Sequence, residues 1–417
     1  MTATTKPSEP VPGKDNYYAS LKLLGDWFDV DRVRSAKILV VGAGAIGNEV
    51  LKNLALLGVG NIFIFDKDRI ELSNLPRSVL YRAGDAGRSK AETAAKALRQ
   101  INPDVGSKGY KGDVRVDLGL GLLRRMDVAI ACLDNVAARY ELNRDCYKVN
   151  RPWIEAGIGQ LHGQVRVFRP GHGACYECPF TQADYDQVAE SCAQVASEFE
   201  SEGGVPTMPT IASIVAGVQV QEALKLLDVN RWEGRTLASR VFYFDGRGVE
   251  ADVLRLPRRA DCLGHTTINP ELIVELPEAT VATTTAAELL SIVRERLGPT
   301  ADLKLNFDLV VEMLCEGCGA RTPVRKPLFK IYRERLICEA CGLQSAGYVS
   351  ELVTTNLLGS ARRRYEEDFL DLPLAELGVP PLDILLGRGP HMKGLYFELT
   401  GDGPDVMRFQ KEQPATV

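Results

Sequence analysis

Three glycines in a six-residue span, Gly42-Ala-Gly44-Ala-Ile-Gly47, stand between a β-branched run and a stretch of helical apolar spacing. Residues 37–41, KILVV, read as a strand, Gly47 to Leu57 as a helix, and the alternation at Ile62 to Phe65 as a second strand. Strand, helix, strand in that order makes a βαβ unit and hence a parallel sheet. In such a unit the first glycine permits the tight turn and the second lets backbone approach a phosphate. The third lets the helix pack on the strand. The helix N-terminus offers free N–H groups and a positive dipole to an anion. Asp66 ends the second strand, where a carboxylate can hold ribose hydroxyls. These residues alone specify an adenine nucleotide, and a nicotinamide-dependent oxidoreductase satisfies them equally well.

Further strands are expected at Val128–Cys132, Trp153–Ala156 and Val165–Phe168, with helices at Lys90–Ile101, Val136–Val149 and Ile211–Leu227. The fold class is therefore α/β, a Rossmann-like domain with a mostly parallel sheet flanked by helices. At 417 residues the chain exceeds one simple core. Residues 1–16 read as a disordered lead-in, and 17–265 as the nucleotide domain, with a crossing loop at about 169–209. Residues 266–305 read as an αβ connection, 306–350 as a compact cysteine module, and 351–417 as a tail or docking region. In the tail, LPLAELGVPPLDILLGRG reads as a short helix stopped by Gly378 and two prolines. A net charge of −5 gives no reason to expect nucleic acid. No apolar run reads as long enough for a bilayer, and no signal-peptide core opens the chain, so no membrane and a cytoplasmic location are expected.

Past the glycines come Asp66-x-Asp68, Leu72-Ser-Asn74-Leu-Pro-Arg77, Gly84-Asp-Ala-Gly87-Arg-Ser-Lys90-Ala, and Cys132-Leu-Asp134-Asn135 with Arg139. On these, residues 20–265 resemble the ThiF/MoeB and ubiquitin-activating superfamily of adenylyltransferases, which includes the metazoan activator of the ubiquitin-fold modifier. The resemblance implies that Asp66 holds the ATP ribose while Asn74, Arg77 and Lys90 face the phosphates. Asp134, beside Asn135, is implied to hold Mg2+ or orient the reacting phosphate. The chemistry agrees: a carboxylate attacking an α-phosphate brings anion onto anion, and fixed cations and a metal lower that barrier. Hydride transfer has no need of such groups. The resemblance also implies a homodimer. Relatives usually carry an arginine in the segment before the first strand; here NYYASLKLLGDWF has none before Arg32, its nearby cations being Lys14 and Lys22, and Ser78 stands where relatives carry glutamine.

Seven of the ten cysteines fall in CxxC and CxxH pairs, which in a reducing compartment points to metal. Cys315, Cys318, Cys338 and Cys341 have the spacing of a structural zinc ribbon. Its connecting segment, RTPVRKPLFKIYRERL, is basic and reads either as a docking face for an acidic partner or as a solvated hairpin. Cys175 and Cys178 open the crossing loop, and the resemblance implies that they share a second zinc with the pair closing the domain, here Cys262 and His265.

Three cysteines remain. Cys132 sits in an apolar run and Cys146 at core spacing in a helix, so both read as packing residues. Cys192 lies in a polar stretch read as loop, where a thiolate could reach an acyl adenylate. In relatives a cysteine of this segment forms a thioester or persulfide, which makes Cys192 the candidate nucleophile. The expected partner is a ubiquitin-like β-grasp protein with a C-terminal glycine, together with a carrier enzyme docked by residues beyond 305. The alternatives are sulfur-carrier activation of the thiamin or molybdopterin type, an NAD-dependent oxidoreductase, and a non-catalytic adaptor.

Overall fold

The computed structural model describes residues 17–25, 28–193, 207–332, 336–343, 351–360, 368–390 and 394–409. The lead-in 1–16, part of the crossing segment and parts of the tail lie outside the described residues.

The glycine turn sits where the sequence puts it. Two short helices, α1 (Ala19–Lys22) and α2 (Val30–Ser35), precede β1 (Lys37–Val41), and α3 (Ala45–Leu56) leads on to β2 (Asn61–Phe65). Helix α4 (Lys90–Ile101) then crosses to β3 (Gly106–Tyr110). The short α5 (Val114–Asp117) and α6 (Leu120–Arg124) precede β4 (Val128–Ala131), and α7 (Val136–Lys148) leads to β5 (Trp153–Ile158). These five strands are parallel, in the order β3-β2-β1-β4-β5. Three antiparallel strands extend the sheet past β5: β6 (His162–Phe168), β7 (Arg240–Asp245) and β8 (Glu250–Arg255).

Both faces of the parallel strands are covered, which is why they read as unbroken apolar runs. Ile38, Val40, Ile62 and Ile64 pack with Leu51, Leu54, Leu98, Val215 and Ala216 on one side. Leu39, Val41, Phe63 and Phe65 pack with Leu122, Leu123, Leu142 and Cys146 on the other. The alternation follows from the two-residue period of a strand.

Two segments depart from the sequence reading. The stretch after Phe168 holds a helix, α8 (Gln182–Ala193), where loop was expected. Its cause is tertiary: Tyr185 meets Phe180 at 5.5 Å and Tyr140 of α7 at 6.4 Å between ring centroids, and Arg259 donates to the Tyr185 hydroxyl at 2.9 Å. Helix α9 (Pro209–Leu227) has 19 residues and is apolar and long enough by composition to cross a membrane, so the expectation of no such run is corrected. Its apolar face, including Ile211, Val215 and Leu226, is buried in the sheet's core.

Beyond residue 265 the chain builds more than a cysteine module. A second sheet contains β9 (Ile273–Glu275), β10 (Asp302–Leu314), β11 (Arg321–Pro327), β12 (Glu351–Leu358), β13 (Ile384–Arg388) and β14 (Gly394–Glu398). Its order is β11-β10-β13-β14-β9, with β12 also paired to β10. Helix α10 (Ala286–Leu297) covers it, started by a Thr285–Glu288 capping box. The LPLAELGVPPLDILLGRG segment forms turns and then β13 rather than a helix, because Leu374, Leu377 and Leu385 all enter this core as successive turns rather than along one helical face.

The second sheet is joined to the first by buried polar contacts. Fully buried Glu398 on β14 takes both Arg124 and Arg125 of the α6 segment. Asp383 accepts from the Leu120 N–H at 3.1 Å and from the Asn306 amide at 3.0 Å, and burial pushes its carboxyl up to about 6. The basic hairpin is met by the chain's own acids: Arg321 by Glu312, Arg325 by Asp368 and Lys330 by Asp117. Three of the segment's cations are thus paired within the chain, and Arg333 and Arg335 lie outside the described residues.

Candidate nucleotide site and cysteine clusters

Parallel sheets bind ligands beyond the carboxyl ends of their strands, where the strand order reverses. Here that point lies between β1 and β4, flanked by the glycine turn after β1 and by Asp134 after β4.

The turn is held by its surroundings. Gly42 has φ +93°, and a Cβ there would sit 2.4 Å from the Cys132 carbonyl oxygen. A Cβ on Gly47 would meet the Gly42 carbonyl at 2.0 Å, whereas one on Gly44 meets nothing within 4 Å. Thus Gly42 and Gly47 serve packing and Gly44 faces open space, as a phosphate approach requires. Ala43 donates its N–H to Asp66 Oδ2 at 2.6 Å, and Asp68 donates to Oδ1 at 2.8 Å. Burial pushes the Asp66 carboxyl above its ordinary value, with Lys90 and these N–H bonds opposing. Lys90 Nζ lies 2.9 Å from Asp68 Oδ2.

Two residues that the sequence reading passed over fix this arrangement. The Tyr81 hydroxyl donates to the Ala43 carbonyl at 2.8 Å, and the Asn48 amide donates to the same oxygen at 2.7 Å. Asn48 Oδ1 in turn accepts from the Leu80 N–H at 2.9 Å, which ties the segment after Arg77 to α3. The sequence offered no local signal for either, since Asn48 stands between Gly47 and Glu49 and Tyr81 is followed by Arg82.

Asn74 and Arg77 lie on a 3-10 turn, Leu72–Arg77, and bond within it: Asn74 Oδ1 accepts from the Glu71 N–H and Arg77 donates to the Ser73 carbonyl. Asp134 is exposed just past β4, and Asn135 caps α7 by accepting from the Ala138 N–H at 2.8 Å. Asn135 is therefore already engaged as a cap. A cleft of about 950 Å³ lies away from the glycine turn; it runs beside α4 and is lined by Arg82, Lys96 and Gln100. It shares no residue with the glycine turn, and volume alone does not make it the nucleotide site.

A model of the ThiF family matches residues 18–264. The chain belongs to the ThiF family. It is 34% identical over 233 residues to the adenylyltransferase and sulfurtransferase MOCS3 of Mus musculus, covering 56% of this chain and 48% of that one. It is 43% identical over 149 residues to the SUMO-activating enzyme subunit 2 of Dictyostelium discoideum, covering 36% and 22% respectively. This ThiF-family chain thus spans about half, or less, of the length of the curated relatives it matches. Among solved structures, E. coli MccB with MccA-N7isoASN superposes with a TM-score of 0.50 at 20% identity, covering 61% of this chain and 75% of that one. That likeness is one of fold.

The cysteine clusters form two separate groups of four. Cys175 and Cys262 Sγ are 3.5 Å apart, Cys175 and Cys178 Sγ 3.8 Å, and Cys178 Sγ and His265 Nε2 3.3 Å. Cys315 meets Cys341 at 3.8 Å and Cys318 meets Cys338 at 3.7 Å. Within each group all four ligand atoms lie within 4.8 Å of one another. A tetrahedral zinc with Zn–S near 2.3 Å has S···S edges of about 3.8 Å. The donor sets fit that ion, and Cys178 Sγ also accepts backbone N–H groups from Cys175 and Arg259. Residue 192 lies in α8, one residue before its end, rather than in an irregular loop; its side chain lies outside the described residues.

Proposed function

We propose that this chain uses ATP to adenylate the C-terminal carboxylate of a small ubiquitin-like protein. The observation that carries the reading is the convergence of the glycine turn, Asp66, the Lys90–Asp68 pair and Asp134 at the strand ends of a ThiF-family sheet. In this reading Asp66 takes the ribose, and the open backbone at Gly44 and the α3 N-terminus take phosphate. Arg77 and Lys90 neutralise, and the Asn74 amide hydrogen-bonds, the charge that grows as the carboxylate oxygen bonds to the α-phosphorus and pyrophosphate leaves. Asp134 is exposed, accepts from the Asn135 amide at 3.5 Å and has no cationic partner among the described residues, so its carboxylate would hold Mg2+, which would supply Lewis-acid neutralisation. The Cys192 thiolate then attacks the acyl carbon and AMP departs, leaving a thioester. Membership of the family favours this over hydride transfer.

Both cysteine groups hold structural zinc in this proposal, since four protein ligands leave no open position. The chain works as a homodimer and passes its acyl group to a carrier enzyme. A second reading, activation of a sulfur carrier, is favoured by the likeness to MOCS3, whose name joins adenylyltransferase to sulfurtransferase.

The experiment incubates the protein with ATP, magnesium and lysate of its source cells, then compares it with Cys192→Ala on a non-reducing gel. A thiol-sensitive adduct absent from the variant is expected. An adduct that persists in Cys192→Ala removes that residue from the mechanism, and ATP-dependent adenylation without any adduct favours the sulfur-carrier reading.

A further inference from the structure

Arg139 carries a signal that the nucleotide reading leaves unused. It lies on α7 five residues past Asp134, and its side chain is only 13% exposed. Its guanidinium donates to the Leu133 carbonyl, in the residue immediately before Asp134, and to the Ala156 carbonyl of β5 at 3.2 Å. Arg139 Nε stands 3.3 Å from Glu155 Oε1, and Arg166 Nε donates to Glu155 Oε2 at 2.7 Å. Glu155 is fully buried on β5, so its charge is tolerable only while these two cations flank it.

The group continues into the first cysteine cluster. The Arg166 guanidinium lies over the Tyr176 ring, 5.0 Å from its centroid, and Tyr176 stands between Cys175 and Cys178. The other residue between those cysteines, Glu177, is also fully buried and faces α7, accepting from Asn143 at 3.1 Å and Arg144 at 3.2 Å. The Tyr176 N–H donates to Asn143 Oδ1 at 3.2 Å. Both residues inside the knuckle therefore bear on the helix that begins just after Asp134.

We infer that Arg139 is a positioning residue for Asp134, fixing the Leu133–Asp134 peptide through buried Glu155 and braced by Tyr176 of the cysteine knuckle. The inference rests on the adenylation reading, in which Asp134 meets magnesium and phosphate. One terminal nitrogen, Nη2, holds both carbonyls while Nε faces Glu155 as an ion pair, a planar arrangement that a lysine ammonium does not reproduce.

The test measures ATP affinity by calorimetry, in magnesium and in EDTA, for wild type, Arg139→Gln, Asp134→Asn and the double variant. Arg139→Gln is expected to lose about tenfold in magnesium and nothing in EDTA, and the double variant to be no weaker than Asp134→Asn. Glu155 keeps Arg166 in Arg139→Gln, and a second variant, Arg139→Lys, keeps the charge beside Glu155 as well; it should show the same magnesium-specific loss while keeping the fold. Losses that multiply in the double variant overturn the inference, as do equal losses in both buffers or a wild type indifferent to magnesium. A wild type that binds no ATP in either buffer overturns the adenylation reading itself.

Discussion

Lys90 Nζ lies 2.9 Å from Asp68 Oδ2, and the Lys90 backbone N–H donates to the Asp68 carbonyl at 3.1 Å. Asp68 thus holds both ends of Lys90 beside the glycine turn. Lys90→Met is expected to cut adenylation by a factor of about 100 or more, the usual scale for a fixed charge serving a transition state. It also has a pH signature. Burial raises the Asp66 carboxyl and Lys90 opposes that rise. Removing the lysine raises it further, so nucleotide binding that needs the Asp66 carboxylate is lost at a higher pH as acid is added. Affinity against pH for wild type and Lys90→Met checks this; superimposable acid limbs contradict it.

Gly42→Ala places a Cβ 2.4 Å from the Cys132 carbonyl in a backbone with φ +93°. Neither neighbour is a flexible side-chain end, so a cost of about 3 kcal/mol is expected. Gly44→Ala meets no atom within 4 Å and should leave stability nearly unchanged while weakening nucleotide binding. Denaturant unfolding and ATP titration of the two variants separate the effects.

The join between the two sheets rests on Glu398 and its arginines. Glu398→Ala leaves Arg124 with Glu275 at 3.6 Å and Arg125 with the Gly121 carbonyl at 2.8 Å, so the loss of the buried carboxylate should destabilise by about 2 kcal/mol in urea unfolding. The same join means that deleting residues 306–417 does not cleanly test a docking role, because it cuts within β10 and removes Glu398. Point variants on the exposed face of the second sheet are the better probe of carrier docking.

Metal analysis by mass spectrometry should return two zinc ions per chain. Cys315→Ser/Cys318→Ser should return one and leave ATP affinity intact, since that hairpin lies on the second sheet. Cys175→Ser should return one and also weaken magnesium-dependent ATP binding through Tyr176 and Arg166. Equal effects from both variants contradict this division.

The parallel core was legible because its elements are local. Helix α4 runs over Lys90–Ile101 as read, and α7 ends one residue before the expected Val149. Strand β3, Gly-Ser-Lys-Gly-Tyr, was missed because it has no apolar alternation and is defined by pairing with β2. Helix α8 was missed because aromatic contacts to α7 fix it, and such contacts have no local period. The ribbon's four cysteines were legible as spacing, whereas the pairing of Cys175 and Cys178 with the distant Cys262 and His265 came from the family resemblance; the structure brings both sets of four together. Tyr81, Asn48 and Glu155 were not legible, since each has a defining partner well outside its own element, 38, 32 and 11 residues away respectively.

The central claim is that ATP activates a protein carboxylate here. The direct measurement is ATP–pyrophosphate exchange in the presence of purified small β-grasp proteins from the source cells, intact or lacking the C-terminal glycine. Exchange is expected with one intact protein, absent when its final glycine is removed and absent in Lys90→Met. Exchange that ignores the terminal glycine, or none with any intact protein, would contradict it.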